Sequence, residues 1–445
     1  MKNATTPHPG RNSKAKADTG GRATRIRLLD FRTAPMRAFH LSWFAFFLSF
    51  FGWFGIAPLM AVVRDDLKLT QTQIGNTVLA SVAMTILARF VAGWLCDRFG
   101  PRSTYPVLLI VGAVPVAAIG LAHSYHAFLG FRLAIGLVGA SFVVTQYHTS
   151  VMFSPRVVGT ANAITAGWGN LGGGVAQWLM PVLLAAITSF GVDRFVGWRS
   201  AMVVPGGLMM LTGIAYHRFT RDTPDGNPFV PRRGGRAFRE AAADYRVWLL
   251  FFLYGACFGV EITVDNVGAL YFKDSFHLTL KLAGFLAGLM GMMNIFARAL
   301  GGMAGDWAGS RWGLRGRSLL LGFVIFAEGL AMITFSRITA LGGATAAFLL
   351  FGVLVCAACG LTYAVVPLVQ PLAIGSVSGI VGAGGNFGAL LAAMLFRSGR
   401  ISSADAFLIL GCIAAGASLC ALGLRFPKVE SGSPTEAVPV LASAD

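Results

Sequence analysis

The sequence predicts an all-α membrane protein with twelve transmembrane helices in two pseudo-symmetric six-helix bundles. Three observations carry this expectation. The 445 residues are 55% hydrophobic and only 12% charged, with mean hydropathy +0.67, far too apolar for a soluble domain of this length. Apolar runs of about 20 residues, enough for a helix to cross roughly 30 Å of hydrocarbon, recur from Ala38 to Phe426. The two halves of the chain also repeat each other at matching positions.

In chain order the runs are read at residues 38–62, 74–95, 104–122, 127–150, 160–187, 198–216, 247–271, 282–304, 318–336, 343–368, 377–396 and 404–425. Residues 1–36 form a basic tail with no apolar run, so the first anchor is the first span and no cleavable signal peptide is expected. Residues 37–217 are read as the first bundle. A polar stretch over 218–245, containing RDTPDGNPFVPRRGGR, separates it from the second bundle over 246–426, and 427–445 form a second tail.

The formal net charge of +17 suggests nucleic acid until the charges are placed. The tails and alternate loops, including Arg98, Arg102, Arg311, Arg315 and Arg317, hold about 24 Lys and Arg against about 9 in the other loops. This asymmetry predicts that both termini are cytoplasmic in a cytoplasmic (inner) membrane and accounts for the charge without a nucleic-acid partner. The six cysteines lie in or at the ends of spans, and Cys356-Ala-Ala-Cys359 reads as helix packing rather than redox chemistry. There is no metal-ligand cluster, no nucleophile with a positioned base and no phosphate-binding loop, so neither an enzyme nor a cofactor is expected.

Near the end of span 2 the chain reads Arg89, Gly93, Asp97, Arg98; near the end of span 8 it reads Arg298, Gly302, Asp306 at identical spacing. In spans 5 and 11, Gly159, Ile164, Gly169, Asn170 and Gly172 match Gly375, Ile380, Gly385, Asn386 and Gly388 at one constant offset. Helical rise places Arg89 and Arg298 roughly 12 Å deeper than the two aspartates, close to the midplane. A central Arg costs about 2.5 to 3.5 kcal/mol even on the milder insertion scale, so a matched pair points to a site on the pseudo-two-fold axis. Two facing guanidiniums repel, and a substrate anion is the simplest partner. A structural ion pair is the alternative, and Glu261 and Glu328 on other helices are the nearest carboxylates.

The segments AGWGNLGGG (Ala166 to Gly174) and GAGGNFGALL (Gly382 to Leu391) place glycines where another backbone can approach closely, with Gly169 and Gly173 spaced as Gly-xxx-Gly. Packing alone explains the glycines. Asn170 and Asn386, costly in lipid and recurring at the repeat position, are read as amide donors at nearly the arginines' depth. Two Arg and two Asn around a narrow, glycine-walled passage describe a site for a small, flat, monovalent anion.

At these residues the sequence resembles a known family. Gly93-x-x-x-Asp97-Arg98-x-Gly100 looks like the loop motif of the major facilitator superfamily, and Arg132 with Gly136 is similar to its fourth-span motif. The paired glycine segments resemble the signatures of its nitrate/nitrite porter family. SFVVTQYHTSVMF, YGACFGVEITVDN and GLTYAVVPLV look closest to the nitrate uptake branch. The resemblance implies a major facilitator fold and a monomeric carrier for nitrate and nitrite. It further implies that Arg89 and Arg298 clamp the anion beside Gly167, Gly169, Gly384, Gly385 and the two asparagines. Gly93, Asp97, Arg98, Gly302 and Asp306 would then act in conformational change. Tyr254 and Phe258 are implied as pocket lining, and positions 254, 258, 261 and 265 share one helical face.

Two departures stand out: His148, where an aromatic such as Trp is expected, and the weakly charged loop from Gln370 to Ser376. The family divides between proton symport and nitrate/nitrite exchange. Glu261, Asp265 and His148 are the coupling candidates for proton-driven import. A structural pairing of Glu261 with an Arg such as Arg132 is the competing reading, as is exchange without protons. Carriers of other small anions such as formate, and a non-transporting nitrate sensor, are further alternatives.

Overall fold

In lipid every backbone polar group must be satisfied within its own segment, so apolar runs of this length become helices. The computed structural model describes residues 21–231, 234–278, 280–397 and 401–426. The first 20 residues and the tail from 427 onward lie outside them. Among the described residues, ten helices are long and apolar enough to cross a membrane. One of these, Phe285–Arg337, has 53 residues, more than twice the roughly 20 that a bilayer requires, and is broken at Gly313 with φ 63°. The chain turns back there, bringing Arg317 against Gly309, so it supplies spans 8 and 9. Span 6 is divided at Met202 into Arg194–Ala201 and Val203–Phe219, the latter 17 residues long. Counting both brings the crossings to twelve.

The remaining spans are Ala34–Phe54 (1), Gln71–Phe99 (2), Pro101–Ala118 (3), Tyr125–Met152 (4), Val158–Ser189 (5), Tyr245–Phe276 (7), Leu341–Val369 (10), Ile374–Arg397 (11) and Ser403–Ala417 with the turn to Gly423 (12). Span 4 tightens to a 3₁₀ stretch at Gly136–Ala140, and span 8 is interrupted between Met293 and Ala297. Both irregularities adjoin the arginine depth.

Span 1 packs on span 5 and span 7 on span 11, while spans 5 and 8, and 11 and 2, join the halves. The cross-half contacts bring main chain close to main chain: a β carbon on Gly93 would lie 2.3 Å from the Gly375 carbonyl oxygen, and one on Gly302 2.5 Å from that of Gly159 and from the Ala163 side chain.

Each seam ends in a carboxylate that caps the partner helix. Asp97 accepts from the amides of Gly375 (3.0 Å) and Ser376 (2.7 Å) at the start of span 11. Asp306 accepts from Gly159 (3.1 Å) and Thr160 (2.7 Å) at the start of span 5, and also pairs with Arg317 at 3.1 Å. A carboxylate at a helix N-terminus meets orphan N–H donors and the positive end of the dipole. Arg98 is exposed and stacks on Trp94 and Phe99. Among the described residues, the hydrogen bonds that join the halves lie at the arginine depth or on this tail-bearing side.

Two features on that side go beyond the sequence reading. Ala23 pairs with the chain after span 4, donating to the Met152 carbonyl at 3.0 Å and accepting from Ser154 at 3.0 Å. The central stretch carries a helix, Gly234–Ala243, whose Phe238 packs edge-on to Phe90 of span 2. Burial raises the Asp222 carboxyl there above its ordinary range, against the hydrogen bond it accepts from the Arg102 amide.

Candidate substrate site

Span 2 buries Arg89 completely and span 8 leaves Arg298 only 1% exposed. Their surroundings differ. Arg89 donates from Nη1 to the Gly382 carbonyl (2.5 Å) across the halves and from Nε to the Gly139 carbonyl (3.3 Å) of the 3₁₀ stretch. With the Asn386 amide turned so that its oxygen faces the guanidinium, Asn386 accepts from Nη1 (2.8 Å) and Nε (3.2 Å); the opposite orientation would set donors against donors. Among the described residues Nη2 has no hydrogen-bond partner and the side chain forms no salt bridge.

Arg298 is ion-paired. Its Nη2 donates to Glu261 Oε2 at 2.5 Å and its Nε to Asn294 Oδ1 at 2.9 Å, and the Asn294 amide donates to Glu261 Oε1 at 2.8 Å. The Cys359 thiol adds a contact to Oε2 at 3.4 Å. This corrects two expectations. Arg298 does not wait for an anion as its only partner, and Glu261 pairs with Arg298 rather than Arg132, which donates to the Trp53 carbonyl at 3.2 Å.

Aromatic rings frame both cations. The Arg89 guanidinium lies 5.0 Å from the Phe142 ring centre and 5.4 Å from that of Phe258, and Arg298 lies 5.7 Å from Phe258. Tyr254 and Phe258 stack at 5.0 Å, Phe142 stacks on both, and Tyr363 closes the frame edge-on to Phe142 and Tyr254. The Tyr254 hydroxyl is buried without a hydrogen-bond partner among the described residues. Guanidinium over ring faces is attractive and holds the cations without neutralising them.

The glycine signatures meet packed groups rather than lining an open passage. A β carbon on Gly167 would lie 2.2 Å from the Asn294 carbonyl oxygen, and one on Gly384 2.4 Å from that of Phe251. On Gly169 it would lie 1.9 Å from the Phe46 ring, and on Gly385 2.5 Å from that of Phe258. The two asparagines are not equivalent. Asn386 turns its oxygen to Arg89 instead of serving as a free amide donor, whereas Asn170 has neither amide atom partnered among the described residues.

Asp265 is exposed one turn beyond Glu261 on the face that carries Tyr254 and Phe258. His148 is elsewhere: buried in the first half, it bonds Tyr216 through Nδ1 and the Arg221 carbonyl through Nε2 (2.7 Å), so the structure does not bring it to the arginines. Residues that sequence reasoning missed are Phe142, Tyr363 and Asn294. Phe142 and Tyr363 lie inside the segments SFVVTQYHTSVMF and GLTYAVVPLV without being singled out there, and Asn294 lies four residues before Arg298, one turn away in a helical reading.

Glu261 cancels Arg298, and Arg89 stands uncompensated with a free donor, which leaves room for one monovalent anion.

The major facilitator superfamily model matches residues 42–393. The chain is 39% identical to a high affinity nitrate transporter 2.5 of Arabidopsis thaliana over 95% of its own length and 86% of that protein. It is 28% identical to the nitrate/nitrite transporter NrtP of Nostoc punctiforme, over 88% of this chain and 91% of that one. Among solved structures, the proton:xylose symporter XylE superposes with a TM-score of 0.68 at 13% identity, covering 88% of this chain and 96% of that one, which shows the fold. Together with the repeated arginines and glycine signatures, these matches place the chain: it belongs to the nitrate/nitrite porter family of the major facilitator superfamily.

Proposed function

We propose that the chain is a monomeric secondary transporter that carries nitrate, and also nitrite, into the cell across the cytoplasmic (inner) membrane by alternating access, with import coupled to protons. Both termini are then cytoplasmic. The observation that carries this reading is the charge-unbalanced Arg89, buried beside an ion-paired Arg298 at the repeat-related position. The names of the relatives support the choice of nitrate.

The geometry suggests how coupling works. The Arg298 fork is held by Glu261, so an anion spanning both arginines competes with that carboxylate. A displaced carboxylate, buried and without its cation, costs several kcal/mol as an ion and takes up a proton instead. Exposed Asp265, one turn outward, offers a route from water on the side opposite the tails. Because the aspartate caps hold the tail side shut, the cycle begins with the site approached from that opposite side. One nitrate entering against an inside-negative potential works against about 2.3 kcal/mol per 100 mV, so at least two protons per anion are required to reverse the sign of the moved charge.

The experiment is nitrate uptake into proteoliposomes. An imposed gradient, acid on the outside, accelerates uptake on this reading, and robust nitrate/nitrite exchange indifferent to that gradient contradicts it.

A further inference from the structure

Glu328 lies on span 9, about 16 Å along the helix from Arg317 on the tail side. Its neighbours on the same helical face are Leu321, Ile325, Met332 and Phe335, and all five side chains are fully buried. An amphipathic stripe of this kind places an apolar residue at such a position. Among the described residues neither carboxyl oxygen has a hydrogen-bond partner, and the side chain is in no salt bridge.

An ionised carboxylate in these surroundings costs several kcal/mol, whereas the neutral acid does not. The titratable groups facing it are Cys257 and Glu261 from span 7 and Cys356 from span 10. Span 12 brings Gly411 and Ala415 against the adjoining Gly329. No cation is among these groups. Cys359 touches both Cys257 and Glu261.

We propose that Glu328 is a second proton-binding site of the transport cycle, which carries one proton per turnover while Glu261 takes another when the anion displaces it from Arg298. This rests on the proton-coupled reading above and supplies the second proton that the charge argument requires. Each step is a simple protonation: an O–H bond forms at a carboxyl oxygen with a proton from water on the side opposite the tails. That bond breaks to water on the tail side after reorientation, and nothing is oxidised or reduced.

The test measures nitrate uptake and current together in proteoliposomes of the full chain, comparing the unmodified protein with Glu328→Gln. The unmodified protein is expected to move about one net positive charge inward per nitrate. Glu328→Gln is expected to keep pH-driven nitrate uptake while the charge per nitrate falls to about zero. An unchanged charge per nitrate in Glu328→Gln, with coupling intact, overturns the assignment of Glu328 and leaves proton-coupled import standing. Absence of any proton coupling in the unmodified protein overturns both. Should Glu328→Gln not be recovered folded, Glu328→Asp carries the test. It keeps an acid one methylene shorter, so the inward positive current is expected to persist with a displaced pH dependence, and an unchanged pH dependence contradicts the proposal.

Discussion

Glu261 occupies Arg298 as an internal anion, accepting from its Nη2 at 2.5 Å, while the repeat-related Arg89 forms no salt bridge among the described residues. The duplicated sequence thus builds two unlike halves of one site. Arg89 is held by carbonyls, the Asn386 oxygen and ring faces, none of which cancels its charge. Arg298 is held by a carboxylate that must leave if the guanidinium is to grip a substrate with its full fork.

Arg89→Lys and Arg298→Lys are each expected to reduce transport by more than about tenfold while the protein still inserts and folds. Lys keeps the charge but not the planar fork, and at position 89 it cannot reach Gly382, Gly139 and Asn386 together. Uptake assays on purified variants, normalised to folded protein, check this. Near-normal rates in either would remove that arginine from the site.

Asn170→Ala is expected to weaken nitrate binding by about 1 to 3 kcal/mol, because the amide is buried with neither atom partnered within the protein. Titration of nitrate against tryptophan fluorescence or by calorimetry measures the change. Unaltered affinity would make Asn170 part of helix packing only.

Gly169→Val and Gly385→Val each put a branched side chain where a single β carbon already falls within 1.9 Å of Phe46 or 2.5 Å of Phe258. Close-packed interiors do not absorb such overlaps without shifting helices. Membrane insertion is expected to survive and turnover to fall at least about tenfold. Transport retained by both variants would show that these seams tolerate separation during the cycle.

Asp97→Ala and Asp306→Ala remove the carboxylates that cap spans 11 and 5. Hydrogen bonds to charged groups contribute about 1.5 to 3 kcal/mol each, so either variant is expected to shift the population toward a tail-side-open form. Spin labels at the tail-side ends of spans 2 and 11 would report longer distances. Unchanged distance distributions in both variants would mean that the main-chain contacts at Gly93 and Gly302 hold the seam alone.

Much of this was legible in the sequence, for physical reasons. A bilayer permits few backbone solutions, so run length translates into crossings, and buried arginines are costly enough that their repetition could not pass as noise. Which carboxylate meets which arginine was not legible. Glu261 and Arg298 sit on different helices, and only their relative rotation and the interrupted turn at Asn294 bring them together. Phe142 and Tyr363 were hidden in apolar runs where any aromatic reads as lipid-facing or core. The pairing of Ala23 with Phe153 is a backbone contact between segments with no pattern of their own.

The central claim is that nitrate and Glu261 compete for Arg298, so that anion entry recruits a proton. Its most direct test is nitrate uptake into proteoliposomes, with and without an imposed pH gradient, for the unmodified protein and Glu261→Gln. The account predicts that external acid accelerates uptake in the unmodified protein. It also predicts that Glu261→Gln, left with the Glu328 proton alone, weakens this response while leaving nitrate/nitrite exchange largely intact. Uptake indifferent to the gradient in the unmodified protein, or a full pH response in Glu261→Gln, would contradict it.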